Sequence, residues 1–199
     1  MSYLCNPINI NYRYQFNDDK RSNAGIQVAR EAADPSMICF KGKYYIFASM
    51  TLGVWVSENL ADWEYYRLPD ELPLYDYAPD IRAVGDYVYL CASKRGENCN
   101  FYRTKDPVNG PYEEIPGSFE FWDPNLFCDD DGRLYFYWGC TNTDPIWGVE
   151  LDPETMLPIG EKKVLFMETH FQKDMNVWER IMRISPKVRK KLKRHFRDF

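Results

Sequence analysis

The chain has 199 residues, enough for one sizeable core or for one domain with an appendage. Hydrophobic residues make up 45% of it and aromatic residues 17%, which excludes a disordered chain and points to a globular one. The net charge of −5 is unevenly placed: residues 1–166 carry 26 acidic and 15 basic side chains, a net of −11, while residues 167–199 carry 4 acidic and 10 basic, a net of +6. An acidic body argues against a nucleic-acid partner, because phosphate binding needs the opposite sign.

The opening residues, Met1-Ser2-Tyr3-Leu4-Cys5-Asn6-Pro7, hold no basic stretch followed by an apolar run, so no secretory signal is expected and a cytoplasmic location is. No stretch approaches the roughly 18 apolar residues that a membrane span requires. The six cysteines, Cys5, Cys39, Cys91, Cys99, Cys128 and Cys140, form no CxxC pair, and four of them sit in apolar, strand-like runs. Reduced thiols are therefore expected, and a zinc site is not. His170 and His195 have no metal-ligand spacing.

Three repeats follow in chain order. The first opens with Ala33-Asp34-Pro35, runs as an apolar strand to Phe40, turns at Lys41-Gly42-Lys43 and returns as Tyr44-Tyr45-Ile46-Phe47-Ala48-Ser49. A strand over 53–57 and an outer strand at Trp63-Glu64-Tyr65-Tyr66 come next. The second opens with Ala78-Pro79-Asp80, runs to Val84, turns at Gly85-Asp86 and returns over 87–93, with a further strand over 101–104. The third opens with Trp122-Asp123-Pro124, runs to Phe127, turns through Asp129-Asp130-Asp131-Gly132 and returns over 133–139, with a further strand over 146–151. Two strands joined through a glycine-bearing turn read as a hairpin, since glycine accepts the positive φ that tight turns demand.

Each repeat begins with an aspartate beside a proline, and Asp34, Asp80 and Asp123 stand 46 and 43 residues apart. Four short strands per unit of about 40–45 residues predict an all-β fold of propeller blades. A β-sandwich also has turn signals every 8–12 residues or so, but it gives no reason for an aspartate at the head of each repeat. In a β-propeller the first strand of each blade lines the central channel, so the three aspartates are expected to converge there. Converging carboxylates raise one another's pKa through like-charge repulsion and desolvation. Such sites divide labour between an ionised group and a protonated one, as glycoside hydrolysis requires.

The stretches Arg30-Glu31-Ala32-Ala33-Asp34-Pro35, Tyr77-Ala78-Pro79-Asp80-Ile81 and Phe121-Trp122-Asp123-Pro124-Asn125-Leu126-Phe127, with Asp129-Asp130-Asp131-Gly132-Arg133 after them, resemble glycoside hydrolase family 43. So do Asn6-Pro7-Ile8-Asn9-Ile10 and Gly148-Val149-Glu150-Leu151-Asp152-Pro153, and the resemblance covers residues 6–166. It implies a five-bladed propeller of the β-xylosidase, α-L-arabinofuranosidase or arabinanase type that inverts the anomeric carbon. Carried over by position, it implies Asp34 as the general base that activates water and Asp123 as the aspartate that tunes the pKa of the general acid. Asp80 would orient the sugar or its neighbours. Tyr77, Trp122 and Trp138 are candidates to line the sugar pocket, with blade-to-blade packing as the equal alternative, and Arg30 and Glu31 are candidates to brace the base. No cofactor is implied, although some relatives hold a calcium ion in the channel.

The pattern breaks after Phe166. The family's general acid is a glutamate in a Glu-Gly-Pro-like motif, and this sequence has no Glu-Gly pair. Asn176-Val177-Trp178-Glu179-Arg180 is similar to a stretch that sometimes precedes that motif, but Glu179 reads as an ordinary surface glutamate. The expected organisation is therefore about three blades of an incomplete propeller over 1–166, followed by a basic tail over 167–199. In that tail Val188, Leu192, Phe196 and Phe199 fall at helical spacing among lysines and arginines. A basic helix of this kind suits a membrane surface, an acidic partner or packing on the acidic body. Three blades cannot close a ring and would leave the third blade's flank bare. The reading is a fragment of a longer enzyme, the alternative being completion by partner chains, with oligomeric state left open.

The expected function is hydrolysis of O-glycosyl bonds in pentose-containing plant saccharides, with low or absent turnover by this chain. The alternatives are a non-catalytic sugar-binding or interaction module, and a mannoside phosphorylase, for which no phosphate-binding cluster of Arg, Lys or His is found.

Overall fold

The computed structural model describes residues 10, 15–17, 27–29, 32–72, 78–93, 98–139 and 145–166. A two-stranded antiparallel pair, β1 (Gln15–Asn17) and β2 (Gln27–Ala29), precedes three four-stranded sheets. The first sheet takes β3 (Ser36–Phe40), β4 (Lys43–Phe47), β5 (Gly53–Ser57) and β6 (Glu64–Arg67) in that order. The second takes β7 (Asp80–Val84), β8 (Tyr87–Cys91), β9 (Phe101–Thr104) and β10 (Glu113–Ile115). The third takes β11 (Asn125–Cys128), β12 (Leu134–Trp138), β13 (Ile146–Leu151) and β14 (Pro158–Phe166). Strands stand in chain order within each sheet, and β7 lies between β3 and β11. These are three consecutive blades of a β-propeller, with β3, β7 and β11 as the innermost strands.

The hairpins form where the turn residues allow them. Lys41 (φ 48°) and Gly42 (φ 78°) put both central positions of the β3–β4 turn in the left-handed region, as a two-residue hairpin loop requires. Along β12 the alternation is clean: Leu134, Phe136 and Trp138 are buried while Tyr135 and Tyr137 are half-buried. Successive side chains point to opposite faces, so one face of the sheet turns wholly toward the neighbouring blade.

Two apolar seams hold the blades together. Between the first and second, Ile38, Phe40, Phe47 and Val54 meet Ile81, Val88 and Leu90. Between the second and third, Phe101 and Phe121 meet Phe136, with ring centroids 5.4 and 4.7 Å away. Much of the aromatic content of the described strands packs into these two seams. Two of the outer strands, β10 and β14, carry little signal in the sequence: Glu113 and Glu114 are exposed, and every residue of β14 is exposed. On the third blade Phe127, Ile159, Val164, Leu165 and Phe166 present exposed apolar side chains.

The chain divides into two units, Met1–Leu165 and Phe166–Phe199. The tail over 167–199, with the helix expected there, lies outside the described residues, as do Arg30, Glu31, Tyr77 and Glu179. Among the described residues no helix is long and apolar enough to cross a membrane.

Phe136 is fully buried at the centre of the second seam and touches Phe101, Phe119, Phe121 and Trp138. Phe136→Ala is expected to reduce the unfolding free energy by about 3–5 kcal/mol. Urea unfolding would show a lower midpoint at unchanged slope. A loss under about 1 kcal/mol would mean that the seam collapses to fill the cavity.

Candidate functional site

The site is built at the points where the chain enters each innermost strand. Asp34, Ala78 and Asp123 each stand immediately before a proline, and each has a positive φ, of 48°, 50° and 47°. A following proline disfavours the right-handed helical region, and the left-handed one costs a non-glycine residue about 1–2 kcal/mol. Hydrogen bonds from the preceding blade offset that strain. The Ala78 N–H donates to Ser49 Oγ at 2.8 Å, and the Asp123 N–H donates to Ser93 Oγ at 3.0 Å. Ser49 and Ser93 stand two residues beyond the ends of β4 and β8, and both are fully buried. The Ser49 hydroxyl in turn donates to Asp34 Oδ2 at 3.3 Å. One buried serine therefore steadies both the first carboxylate and the start of the second blade.

This geometry corrects the alignment of the repeats. Asp80 is not the counterpart of Asp34 and Asp123; Ala78 is, at spacings of 44 and 45 residues. In the second repeat the aspartate follows the proline rather than preceding it. Asp80 is the first residue of β7 and pairs with Cys91, as Ser36 pairs with Phe47 and Asn125 with Tyr137. It is buried, and both its oxygens are engaged: Oδ1 accepts from the Ser36 hydroxyl at 2.7 Å and Oδ2 from the Leu126 N–H at 2.6 Å. Ser36 Oγ also accepts the Ile81 N–H at 3.2 Å, and the Arg82 Nε–H donates to the Leu126 carbonyl at 2.8 Å. Asp80 thus ties the three innermost strands together.

Asp34, Asp80, Asp123, Arg82, Met37 and Asn125 line one hollow of about 460 Å³, within the range of about 300–1,000 Å³ usual for small-molecule sites. Asp34 and Asp123 are exposed to it, whereas Asp80 is not. The Asp123 carboxyl is held above its usual value, first by desolvation and then by the negative charge of Asp34. Burial raises Asp80 as well, opposed by the Leu126 N–H, the Ser36 hydroxyl and the Arg82 charge. Desolvation is thus the larger cause at both Asp80 and Asp123, and the charge of Asp34 adds to it only at Asp123.

The aromatic candidates separate. Trp138 is buried in the second seam, stacked on Phe136 with centroids 5.5 Å apart and against Phe119 at 4.9 Å. It packs blade to blade and does not line the hollow. Trp122 is half-buried, its carbonyl accepts the Gly139 N–H at 2.8 Å, and it too is absent from the lining. Arg82, Ser36, Ser49 and Ser93 were not singled out from the sequence. The repeated Ala-Ser ending of two apolar strands was the available sign of the last two. Among the described residues there is no group of three or more His, Cys, Asp or Glu side chains that could hold a metal ion.

The sequence profile of glycosyl hydrolases family 43 matches residues 27–184. A xylosidase/arabinosidase from Butyrivibrio fibrisolvens is 30% identical over 165 residues, covering 67% of this chain and 31% of the relative. Xylosidase/arabinosidase 43A from Humicola insolens is 28% identical over 153 residues, covering 60% of this chain and 45% of the relative. The chain thus spans less than half the length of these two curated relatives. A crystal structure of a thermostable family-43 glycoside hydrolase superposes with a TM-score of 0.57 at 21% identity, covering 73% of this chain and 56% of that one; this likeness speaks to the fold.

Asp80 offers a test by pH. Its folded form holds a proton more tightly than the unfolded chain does. Its contribution to stability is therefore fully present below its ordinary value of 3.8 and is lost as pH rises through the raised folded value. In Asp80→Asn the amide oxygen can still accept the Leu126 N–H while the amide nitrogen donates to Ser36 Oγ. That variant is expected to gain on the wild type as pH rises from about 4 to about 7, in urea unfolding at each pH. Asp80→Ala, which strands the donors, is expected to cost about 2–4 kcal/mol. A constant difference between wild type and Asp80→Asn across that range would refute the assignment.

Proposed function

The chain belongs to glycosyl hydrolases family 43, and from that membership we infer that its hollow is the base side of an inverting glycoside hydrolase site. The observation that carries the reading is the pair of exposed carboxylates, Asp34 and Asp123, at the same backbone step of two blades on one hollow, with Asp34's charge felt at Asp123. The substrate class is a pentose-containing oligosaccharide or polysaccharide, supported by the two relatives named as xylosidase/arabinosidase.

In the proposed reaction Asp34 takes a proton from a water as the water oxygen bonds to the anomeric carbon. The glycosidic bond breaks on the opposite face, and the departing oxygen must be protonated by an acid standing about 6.5–9.5 Å from the base. Asp34 is suited to the base role because it is exposed and its Oδ2 is steadied by the buried Ser49 hydroxyl. Asp123, whose carboxyl is held above its usual value by desolvation and by the charge of Asp34, stands on the same hollow as the group that tunes the acid. Asp80 is given a supporting part: with both oxygens bonded to neighbouring strands it fixes the floor against which the sugar rests.

Glycosides with a dinitrophenyl leaving group isolate the base half, since that group departs without needing a proton. Dinitrophenyl xyloside and arabinofuranoside are expected to be hydrolysed slowly with inversion, and nitrophenyl analogues more slowly still. Asp34→Asn should reduce the dinitrophenyl rate about a hundredfold or more. Hydrolysis at the wild-type rate by Asp34→Asn, or retention at the anomeric carbon, would refute the assignment.

A further inference from the structure

Each blade ends in an outer strand, and the three differ. β6 has four residues and β10 three, whereas β14 has nine, all of them exposed. Among the described residues no strand lies beyond β14, so its outer edge offers a row of backbone N–H and C=O groups to another chain. Short edge strands are one way that sheet proteins avoid such pairing, and β6 and β10 conform to it. β14 does not. It also carries Ile159, Val164 and Leu165 as exposed apolar side chains.

Alternation settles what each face of β14 presents. A Cβ added to Gly148 would meet the Leu165 and Tyr137 side chains, so Leu165 lies on the face of the sheet that Tyr137 shares. Lys162 lies on the opposite face, where its ammonium stands 4.1 Å from the Trp147 ring centroid. Successive side chains alternate, so Glu161 and Lys163 share the face of Leu165. An acidic and a basic residue two apart on one face make this edge complementary to itself. In an antiparallel pair of identical strands with a two-fold axis at Lys162, Glu161 of each copy stands opposite Lys163 of the other. The same register sets Val164 opposite Gly160 and Leu165 opposite Ile159. Gly160 is left-handed, φ 79°, and nothing lies within 4 Å of where its Cβ would be, so the Val164 side chain finds room there. An axis at Glu161 would set Glu161 against itself and Ile159 against Lys163. An axis at Lys163 would set Lys163 against itself and Glu161 against Leu165. The axis at Lys162 does place Lys162 opposite itself, but that ammonium is drawn back over the Trp147 ring of its own sheet.

We propose that β14 is a homodimer interface, its outer edge pairing antiparallel with the same edge of a second copy and joining the two third blades into one continuous sheet. Ladder hydrogen bonds supply the affinity, and the two Glu161–Lys163 pairs fix the register. The proposal is independent of the hydrolase reading, because Asp34 and Asp123 stand at the innermost strands and β14 is the outermost strand of its blade.

Sedimentation velocity of the full chain from about 1 to about 100 μM tests this. A monomer–dimer equilibrium is expected, and it should weaken with added salt. Lys163→Glu sets two acidic pairs across the axis and should weaken the dimer about tenfold or more at an unchanged Tm. Glu161→Lys should do the same with two basic pairs. Mixed in equal amounts, the two single variants should pair with one another, since every acidic side chain then meets a basic one. Both substitutions in one chain should restore the wild-type dimer. A wild-type chain that stays monomeric throughout, a dimer indifferent to either single variant, or single variants that fail to associate when mixed would each overturn the proposal.

Discussion

The carboxylate of Asp80 is the constraint around which the inner face of this molecule is arranged. It sits at the head of the middle innermost strand, buried, and reaches one neighbour through Ser36 and the other through the Leu126 amide. Removing a carboxylate from water is costly unless donors replace the water. Here the donors belong to the flanking blades, so satisfying the charge and aligning the strands are one event. Arg82, two residues further along the same strand, repeats the device with the opposite sign by donating to the Leu126 carbonyl.

With the middle aspartate committed to the frame, the two outer ones are left facing solvent. Asp34 and Asp123 owe their placement to the backbone, through a left-handed residue before a proline that turns the chain into the blade. That step is strained for any residue with a Cβ, and the fold holds two of its occurrences with serines buried in the preceding blade. The apolar seams behind them, Phe47 against Leu90 and Phe101 against Phe136, give those serines a rigid seat. Rigidity matters because a base is useful only while its oxygen stays within reach of the attacking water.

Much of this was legible from the residues. The hairpins declared themselves through glycine-bearing turns between apolar runs, and the repeat spacing pointed to blades. The aspartate-proline steps marked the channel. What failed was the register of the second repeat, where Asp80 was set beside Asp34 and Asp123 although Ala78 holds that place. A pattern of residue types cannot tell an aspartate before a proline from one after it unless the backbone step itself is known. Trp138 stood equally between pocket and packing in the sequence, and only its neighbours Phe119 and Phe136 place it in the seam. The outer strands β10 and β14 went unseen because their exposed residues show no alternation of buried and exposed positions.

By itself, the amino-acid order determined the local events: where strands run, where they turn, which side chains carry charge, and which family the chain resembles. These are short-range properties, set by φ preferences and by alternation over a few residues. Tertiary structure decided which carboxylates remain available. The partners that engage Asp80 lie 44 and 46 residues away, and the serines that brace the second and third blades lie 29 and 30 residues from the amides they accept. Contacts over such separations arise only when whole blades pack, because the apolar seams bring the innermost strands side by side and leave buried polar groups no other partners.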